Sequence, residues 1–339
     1  DILEPRPDPR YTLSDANWMD NGNYAFDRFV ISPKQVNDKE HSAQVNVRFD
    51  GDNSSIKFGL LGRWRDREVN VDESELRVGP KVALSSWTTG SPDHRHGTLG
   101  DGMDSDAMRA YWAANRGQFS ARPQDVGANA MTSLEEDYTA SEDIFASYAM
   151  GTWDIGALRI IGGVRVENTQ FNATGNDVDV ASDGKTVTVT PRTANSSYTS
   201  VLPGLHLRYD AADDWVLRAS ANKTVSRPSF GDISPRVGYS RGDEEVRLGN
   251  PELDPYESKN IDLSAEWYFD TVGSLTMSIY MKDIQGIVND GFDIVNYTSG
   301  SGISTDVQVS GPINDQKGKL KGFELAYQQT YDFLPGLLS

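Results

Sequence analysis

Apolar and polar residues alternate with a period of two in segments of about ten residues, the length a tilted β-strand needs to cross a bilayer. From Ala157 to Glu167 one face reads Leu158, Ile160, Gly162, Val164, Val166 and the other Arg159, Ile161, Gly163, Arg165, Glu167. The division recurs at Val201–Tyr209, where Val201, Leu205 and Leu207 oppose Gly204, His206 and Arg208, and from Trp215, where Leu217, Ala219 and Ala221 oppose Arg218, Ser220 and Asn222. Ile261, Leu263, Ala265 and Trp267 oppose Asp262, Ser264 and Glu266; Leu275, Met277, Ile279 and Met281 oppose Thr276, Ser278, Tyr280 and Lys282. A soluble antiparallel sheet with one wet face alternates in the same way, so alternation leaves a soluble and a membrane reading open.

Connection lengths shift the balance toward the membrane reading. Strands are expected at about 43–49, 56–76, 143–153, 157–170, 198–209, 215–226, 261–269, 275–284 and 322–331. The links between them alternate between short (50–55, 154–156, 210–214, 270–274) and long (77–142, 171–197, 227–260, 285–321), with a further short turn at 332–336. Tight turns on one rim and long loops on the other mark a transmembrane β-barrel. Trp153, Tyr209, Trp215, Trp267, Phe269, Tyr331 and Phe333 all lie near the short turns, where an interfacial aromatic girdle belongs. Within the long loops, Asp104–Phe119 reads as a short helix capped by Asp104 or Ser105 and ended by Gly117, and Thr186–Thr190 as one arm of a hairpin.

Composition narrows the partners. The 339 residues carry 32 Lys+Arg against 50 Asp+Glu, a net charge of −18, and no cysteine. That balance excludes a basic nucleic-acid binder, and the missing thiols exclude a disulfide or thiolate-metal scaffold. No stretch of about 18 apolar residues is present, but average hydropathy does not detect a barrel whose lipid face occupies alternate positions. The opening residues, Asp1-Ile-Leu-Glu-Pro-Arg-Pro, lack a signal-peptide pattern, which fits either a removed leader or a start inside a longer chain.

Candidate chemistry is sparse. His94 and His96 beside Asp93 have chelating spacing but no third ligand, and Asp101–Asp106 and Asp50–Asn53 are only fragments of calcium loops. Glu135-Glu136 and Asp243-Glu244-Glu245 are adjacent carboxylates, whereas a glycosidase pair reaches across a cleft from separate elements. No nucleophile motif or phosphate-cradling loop occurs, so neither an enzyme nor a cofactor or metal is expected. Ligand binding is better served. Trp87, Arg109, Tyr111 and Trp112, with Arg227, Arg236, Tyr239 and Arg241, offer stacking faces and forked donors suited to sugars or acidic chelates. The alternative for each aromatic is packing of loop against loop.

Lys223-Thr-Val-Ser-Arg-Pro-Ser-Phe-Gly-Asp-Ile-Ser-Pro235 and Gly249-Asn-Pro-Glu-Leu-Asp-Pro-Tyr-Glu-Ser258 resemble the barrel of TonB-dependent outer-membrane receptors. So do Ser141–Met150, Gly163-Val-Arg-Val-Glu167 and Lys321-Gly-Phe-Glu-Leu325. Pro228 and Pro235 cannot donate to a ladder and suit a strand leaving its sheet; Asn250-Pro251 and Asp254-Pro255 bias the chain to turns before it re-enters near Asn260, with Arg227 expected at the outer rim. The style is similar to receptors of the Xanthomonas, Caulobacter and sphingomonad type, many of which import oligosaccharides.

The resemblance implies an all-β fold. Residues 1–339 would form part of a 22-stranded antiparallel barrel, with about nine or ten strands present and the plug domain and remaining strands outside this sequence. It further implies a Gram-negative outer-membrane location, contact with lipid and lipopolysaccharide, and coupling through the plug to the TonB–ExbB–ExbD system. The expected ligand is an oligosaccharide or other bulky small molecule, with a siderophore, iron chelate or cobalamin as alternatives. A passive porin and a soluble carbohydrate-binding β-protein are the readings from other classes.

Overall fold

The structure is a computed structural model that describes residues 21, 24, 27–90, 101–240, 245–270, 273–298 and 304–330. In chain order the elements are β1 (Phe29–Ile31), β2 (Lys34–Asp50), β3 (Ser54–Val71), β4 (Ser74–Leu76), α1 (Ser105–Asn115), α2 (Val126–Glu136), β5 (Tyr138–Ile155) and β6 (Leu158–Val180). There follow β7 (Val187–Ala212), β8 (Trp215–Ser226), α3 (Phe230–Ile233), β9 (Val237–Ser240), β10 (Glu245–Leu248), β11 (Tyr256–Trp267), β12 (Ser274–Thr298) and β13 (Ser304–Gln328). Each segment expected to span is a strand. No helix among the described residues is long and apolar enough to cross a membrane.

The long strands form one sheet of 11, ordered β2-β3-β5-β6-β7-β8-β11-β12-β13-β10-β9. Neighbours are antiparallel up-and-down pairs apart from the short β9–β10 hairpin, which lies parallel to β6 at Asp177–Val180 and to β13 at Gln308–Ser310. That hairpin closes a ring from β6 round to β13 and back. β2 is bonded along one side only, and the second side of β13 is met by β10 for three residues. An open sheet edge in hydrocarbon leaves each unpaired backbone group at a cost of several kcal/mol, so this sheet is a segment of a barrel.

Register converts alternation into two continuous faces. Cross-strand rows such as Leu60↔Ser147↔Val166↔Val201 and Ala219↔Leu263↔Ile279↔Phe323 assemble one apolar surface. Val166, Val201, Leu263, Ile279 and Phe323 on this surface are exposed. At the short-turn rim the aromatics collect on this face: Trp215 stacks on Trp267 at 5.8 Å, and Phe269 lies 5.0 Å from Trp267 and 6.1 Å from Tyr327. Tyr331 and Phe333 lie outside the described residues. Gly156 opens the two-residue β5–β6 turn with φ of 58°, a value a tight hairpin requires and L side chains rarely adopt.

At the opposite rim two expectations are corrected. The sequence predicts loops at 171–197 and 285–321, with only Thr186–Thr190 as a hairpin arm, and that arm is the start of β7. Strands β6 and β7 in fact continue paired to Val180↔Val187, and β12 and β13 to Thr298↔Ser304. Polar residues such as Asn172, Thr174 and Asn195 hide the strand signal there, because hairpins rising beyond the membrane have no lipid face to mark. Helix α1 forms as expected, with Asp104 accepting from the Asp106 and Ala107 amides at 3.0 and 2.9 Å; a 3-10 turn, Arg116–Gln118, follows it. Helices α2 and α3 and strands β1, β9 and β10 are not among the elements the sequence predicts, and the strand predicted at 56–76 breaks after Val71, with β4 at its end.

Candidate ligand surface and lumen wall

The second face of the sheet is polar, and its charges are matched to one another. Near the short-turn rim Arg159 makes two bonds to Asp154 (2.6 and 3.0 Å), Arg208 bonds Asp210 (2.9 Å), and Arg218 grips Glu266 (2.7 and 3.3 Å). Ser220 donates to Asp262 at 3.2 Å, and Asn260 to Asn222 at 2.8 Å. Arg159, His206, Arg218, Asp262, Tyr280 and Glu324 are among the groups lining a hollow of about 740 Å³ on this wall. A second hollow, about 440 Å³, is lined by Leu158, Leu217, Leu263 and Met277 and lies on the apolar face.

Higher on the inner wall is a ladder of buried charge. Arg227, just past the end of β8, donates to Glu167 at 2.5 Å and to Thr169 at 3.0 Å, and stands 3.6 Å from Glu142. Glu142 and Glu167 are 5% and 8% exposed, so each needs its cations: Arg63 reaches Glu142 at 3.5 Å and Arg165 reaches Glu167 at 2.6 Å. On the neighbouring strands Arg65 forks onto Asp38 at 2.8 and 2.6 Å. Every member of this ladder except Arg227 comes from alternate positions on the inner side of a strand.

Residues 227–240 and 245–253 fold back into the concave side. Phe230, Ile233 and Leu253 pack on Val69, Val71, Tyr138, Ala140, Phe171 and Ala173, the inward residues at the loop ends of β3, β5 and β6. Arg65 lies over the Phe230 ring at 5.0 Å. Ser229 caps α3 by accepting from the Asp232 amide, and the Asn250 side chain holds the Glu252 amide at 3.0 Å. Gly249 has a steric reason: a Cβ there would stand 1.9 Å from the Ser234 carbonyl oxygen. Arg227 is therefore turned inward, not placed at the outer rim as expected. The chain re-enters the sheet at Tyr256, four residues earlier than expected.

The sequence candidates fall into separate places. Trp87, Tyr111 and Trp112 do come together, but as a packed cluster with Phe29 and Phe119: Trp87–Tyr111 is 5.3 Å, Phe29–Trp112 4.7 Å and Trp112–Phe119 5.7 Å. Trp87 is 6% exposed, leaving little face for stacking. Arg109 points to solvent and pairs with Asp106. Arg236 bonds Glu136 at 2.5 Å and the Gly231 carbonyl at 3.2 Å, and Lys34 reaches Glu136 at 3.4 Å. Burial pushes the Glu136 carboxyl up, but these two cations outweigh it and hold it below the usual carboxylate range. Tyr239 on β9 is 1% exposed, buried with Val237, with Val246 of β10 and with Val307 of β13. Arg241, the His94/His96 pair and the acidic residues 243–244 lie outside the described residues. No group of three or more metal-ligating side chains occurs among the described residues.

The inner-wall residues Asp38, Arg63, Arg65, Glu142, Glu167 and Thr169 escape a motif search. Their signal is charge recurring every second residue, as in Arg63, Arg65, Arg67, on a strand whose other face is apolar.

The profile of the family described as "TonB dependent receptor-like, beta-barrel" matches residues 3–339, and the chain belongs to that family. Such barrels are outer-membrane receptors and transporters of Gram-negative bacteria, not enzymes. No curated protein matches the chain. Among solved structures it is similar to a double mutant of the Serratia marcescens hemophore receptor HasR in complex with its hemophore HasA and heme (TM-score 0.52, 11% identity, covering 88% of this chain and 40% of that one). It is also similar to the copper transporter OprC (TM-score 0.49, 13% identity, 88% and 37%). A third is the ferric enterobactin receptor from Pseudomonas aeruginosa in complex with enterobactin (TM-score 0.48, 14% identity, 86% and 33%). At these identities the likeness concerns the fold. The chain spans 40% or less of the length of these three structures.

Proposed function

We propose that residues 1–339 form the barrel portion of an active-transport receptor that captures a bulky solute at the cell surface and delivers it to the periplasm. Supply of energy through a plug domain to the TonB–ExbB–ExbD system belongs to the same proposal, as does contact of the outer face with lipid and lipopolysaccharide. The observation that carries it is the two-faced sheet: spanning strands whose apolar sides form one belt and whose charged sides form a paired, water-facing wall.

An oligosaccharide is the favoured cargo. The wall's cations are mostly neutralised by their own carboxylates, as in Arg218–Glu266 and Arg227–Glu167, which leaves hydroxyls such as those of Ser264, Ser278 and Tyr280 to meet a neutral polyhydroxylated solute. The overall style of the sequence, similar to that of Xanthomonas, Caulobacter and sphingomonad receptors, supports the same choice. Siderophores, iron chelates and cobalamin are the competing cargoes. Calorimetry on the full-length receptor with panels of oligosaccharides, ferric chelates and cobalamin, followed by uptake with and without TonB, tests both parts. Affinity confined to ferric chelates overturns the cargo; uptake indifferent to TonB overturns active transport in favour of a passive pore.

A further inference from the structure

We infer that the inner wall holds an upper sugar subsite, a hollow in which Asn222, Thr224, Tyr256, Asp262 and Lys282 bind pyranose units of a neutral oligosaccharide. The inference rests on the oligosaccharide reading above and gives it an address. Three successive inner rows define the hollow: Thr224–Ser258–Ile284, Asn222–Asn260–Lys282 and Ser220–Asp262–Tyr280. Its volume is about 530 Å³, inside the range of roughly 300–1,000 Å³ for small-molecule sites. Ser226 and Tyr256, the last residue of β8 and the first of β11, are cross-strand partners at its upper end, so it lies just below the segment that folds back into the concave side. Asp262 and Lys282 also line the 740 Å³ hollow, which makes the two a continuous strip down β8, β11 and β12.

The hydrogen bonds fix what the hollow offers. The Ser258 hydroxyl donates to Asn260 at 2.8 Å. The amide nitrogen of Asn260, a residue 9% exposed, donates onward to Asn222 Oδ1 at 2.8 Å and to Thr224 Oγ1 at 3.3 Å. Asn222 and Thr224 accept from the same nitrogen, so the groups they turn to the hollow are donors, an amide NH2 and a hydroxyl. Lys282 adds an ammonium that has no ion-pair partner among the described residues, whereas Arg208 and Arg218, lower on the wall, are each held by a carboxylate. Asp262 is the acceptor: its Oδ2 takes the Ser220 hydroxyl at 3.2 Å, and its Oδ1 has no hydrogen bond among the described residues.

Aligned donors with an acceptor in the next row are the complement of a neutral sugar, whose hydroxyls accept and donate at once. An anionic chelate would meet Lys282 but also the Asp262 carboxylate, and like charges brought together oppose binding. The Tyr256 ring and Ile284 supply the apolar side, against which the C–H face of a pyranose can lie. A wall that only faces water has no need of the Asn260 relay, because water offers donors and acceptors alike.

Calorimetry on the full-length receptor with maltohexaose, cellohexaose and xylohexaose tests the subsite. At least one of them should bind wild type. Asn222→Asp keeps the acceptor for Asn260 and removes only the donor turned to the lumen, so it should weaken that binding about five-fold, the equivalent of about one hydrogen bond. Thr224→Val should cost a similar factor. If either change impairs assembly, Lys282→Met serves, with a loss of about ten-fold for a charged donor. The per-O-methylated hexaose, which keeps its acceptors and loses its donors, should bind wild type and Asn222→Asp equally weakly. Wild-type affinity for the hexaose in the assembled variants overturns the subsite and leaves the cargo reading standing, as does equal affinity of wild type for the hexaose and its methylated form. Failure of the underlying reading is separate: wild-type receptor would then bind none of the three hexaoses, and the subsite would fall with it.

Discussion

Arg227 and Glu167, 60 positions apart in the chain, meet at 2.5 Å on the inner wall, where the chain leaving β8 turns back against β6. This one contact ties the returning segment to the lumen and neutralises a carboxylate that is 8% exposed. Neither group stands alone: Glu142 and Arg63 on one side and Arg165 on the other complete the ladder.

Arg227→Ala should therefore destabilise the full-length receptor by about 3 kcal/mol, the low end of the cost of stripping a buried pair, because each carboxylate keeps a second cation. Arg227→Lys should recover part of it, as one ammonium cannot serve Glu167 and Thr169 in fork geometry. Denaturant unfolding in detergent measures both. An unchanged midpoint for Arg227→Ala would remove the ladder's structural role.

Phe230→Ala should cost about 3–5 kcal/mol, the range for truncating a buried aromatic. The loss would fall on local order, since Phe230 is the wedge between the returning segment and Phe171, 5.7 Å away. Hydrogen exchange is expected to accelerate over residues 227–255 and to leave β11–β13 protected.

The two faces should answer differently to the same charge. Leu263→Arg, in the apolar row with Ala219 and Ile279, should cost about 2–4 kcal/mol and lower the yield of assembled barrel. Ser264→Arg, one residue on and facing the 740 Å³ hollow, should assemble nearly normally. Heat-modifiable gel mobility of outer-membrane fractions compares them; equal yields would contradict the assignment of faces.

Acid should loosen one hairpin at a defined pH. Asp183, in the turn joining β6 to β7, accepts from the Thr186 hydroxyl (2.6 Å) and from the Thr186 and Lys185 amides (both 2.8 Å), which hold its carboxyl down at about 2. A depressed folded-state value contributes stability that is complete above the unfolded value, about 3.9, and is lost as pH falls through about 2. Amide protection of Lys185 and Thr186 should accordingly persist at pH 5 and disappear between about pH 4 and 2. In Asp183→Ala it should be weak throughout, and protection unaffected by that change would refute the assignment.

How much was legible beforehand varies by element. The strands containing Leu158–Val166 and Ile261–Trp267 could be read from alternation, and α1 from Asp104, because those signals lie within a few residues of one another. Beyond the apolar belt, residues 168–176 carry no such contrast, so sequence alone shows only the Thr186–Thr190 arm of the extended hairpins. Trp87, Tyr111 and Trp112 meet in one aromatic cluster, but whether their faces are open or packed depends on Phe29 and Phe119, and Phe29 is distant from all three in sequence.

Local periodicity by itself determined that this chain makes tilted, two-faced strands with tight turns on one rim, since each strand's greasy and wet sides are written in consecutive residues. Tertiary structure alone decided which charges meet, how residues 227–240 and 245–253 enter the concave side, and that Asn222, Asn260 and Lys282 from three strands share one inner row. The physical reason is register: a cross-strand neighbour is set by hydrogen-bonded alignment between segments tens of residues apart, and no short window of sequence contains both partners.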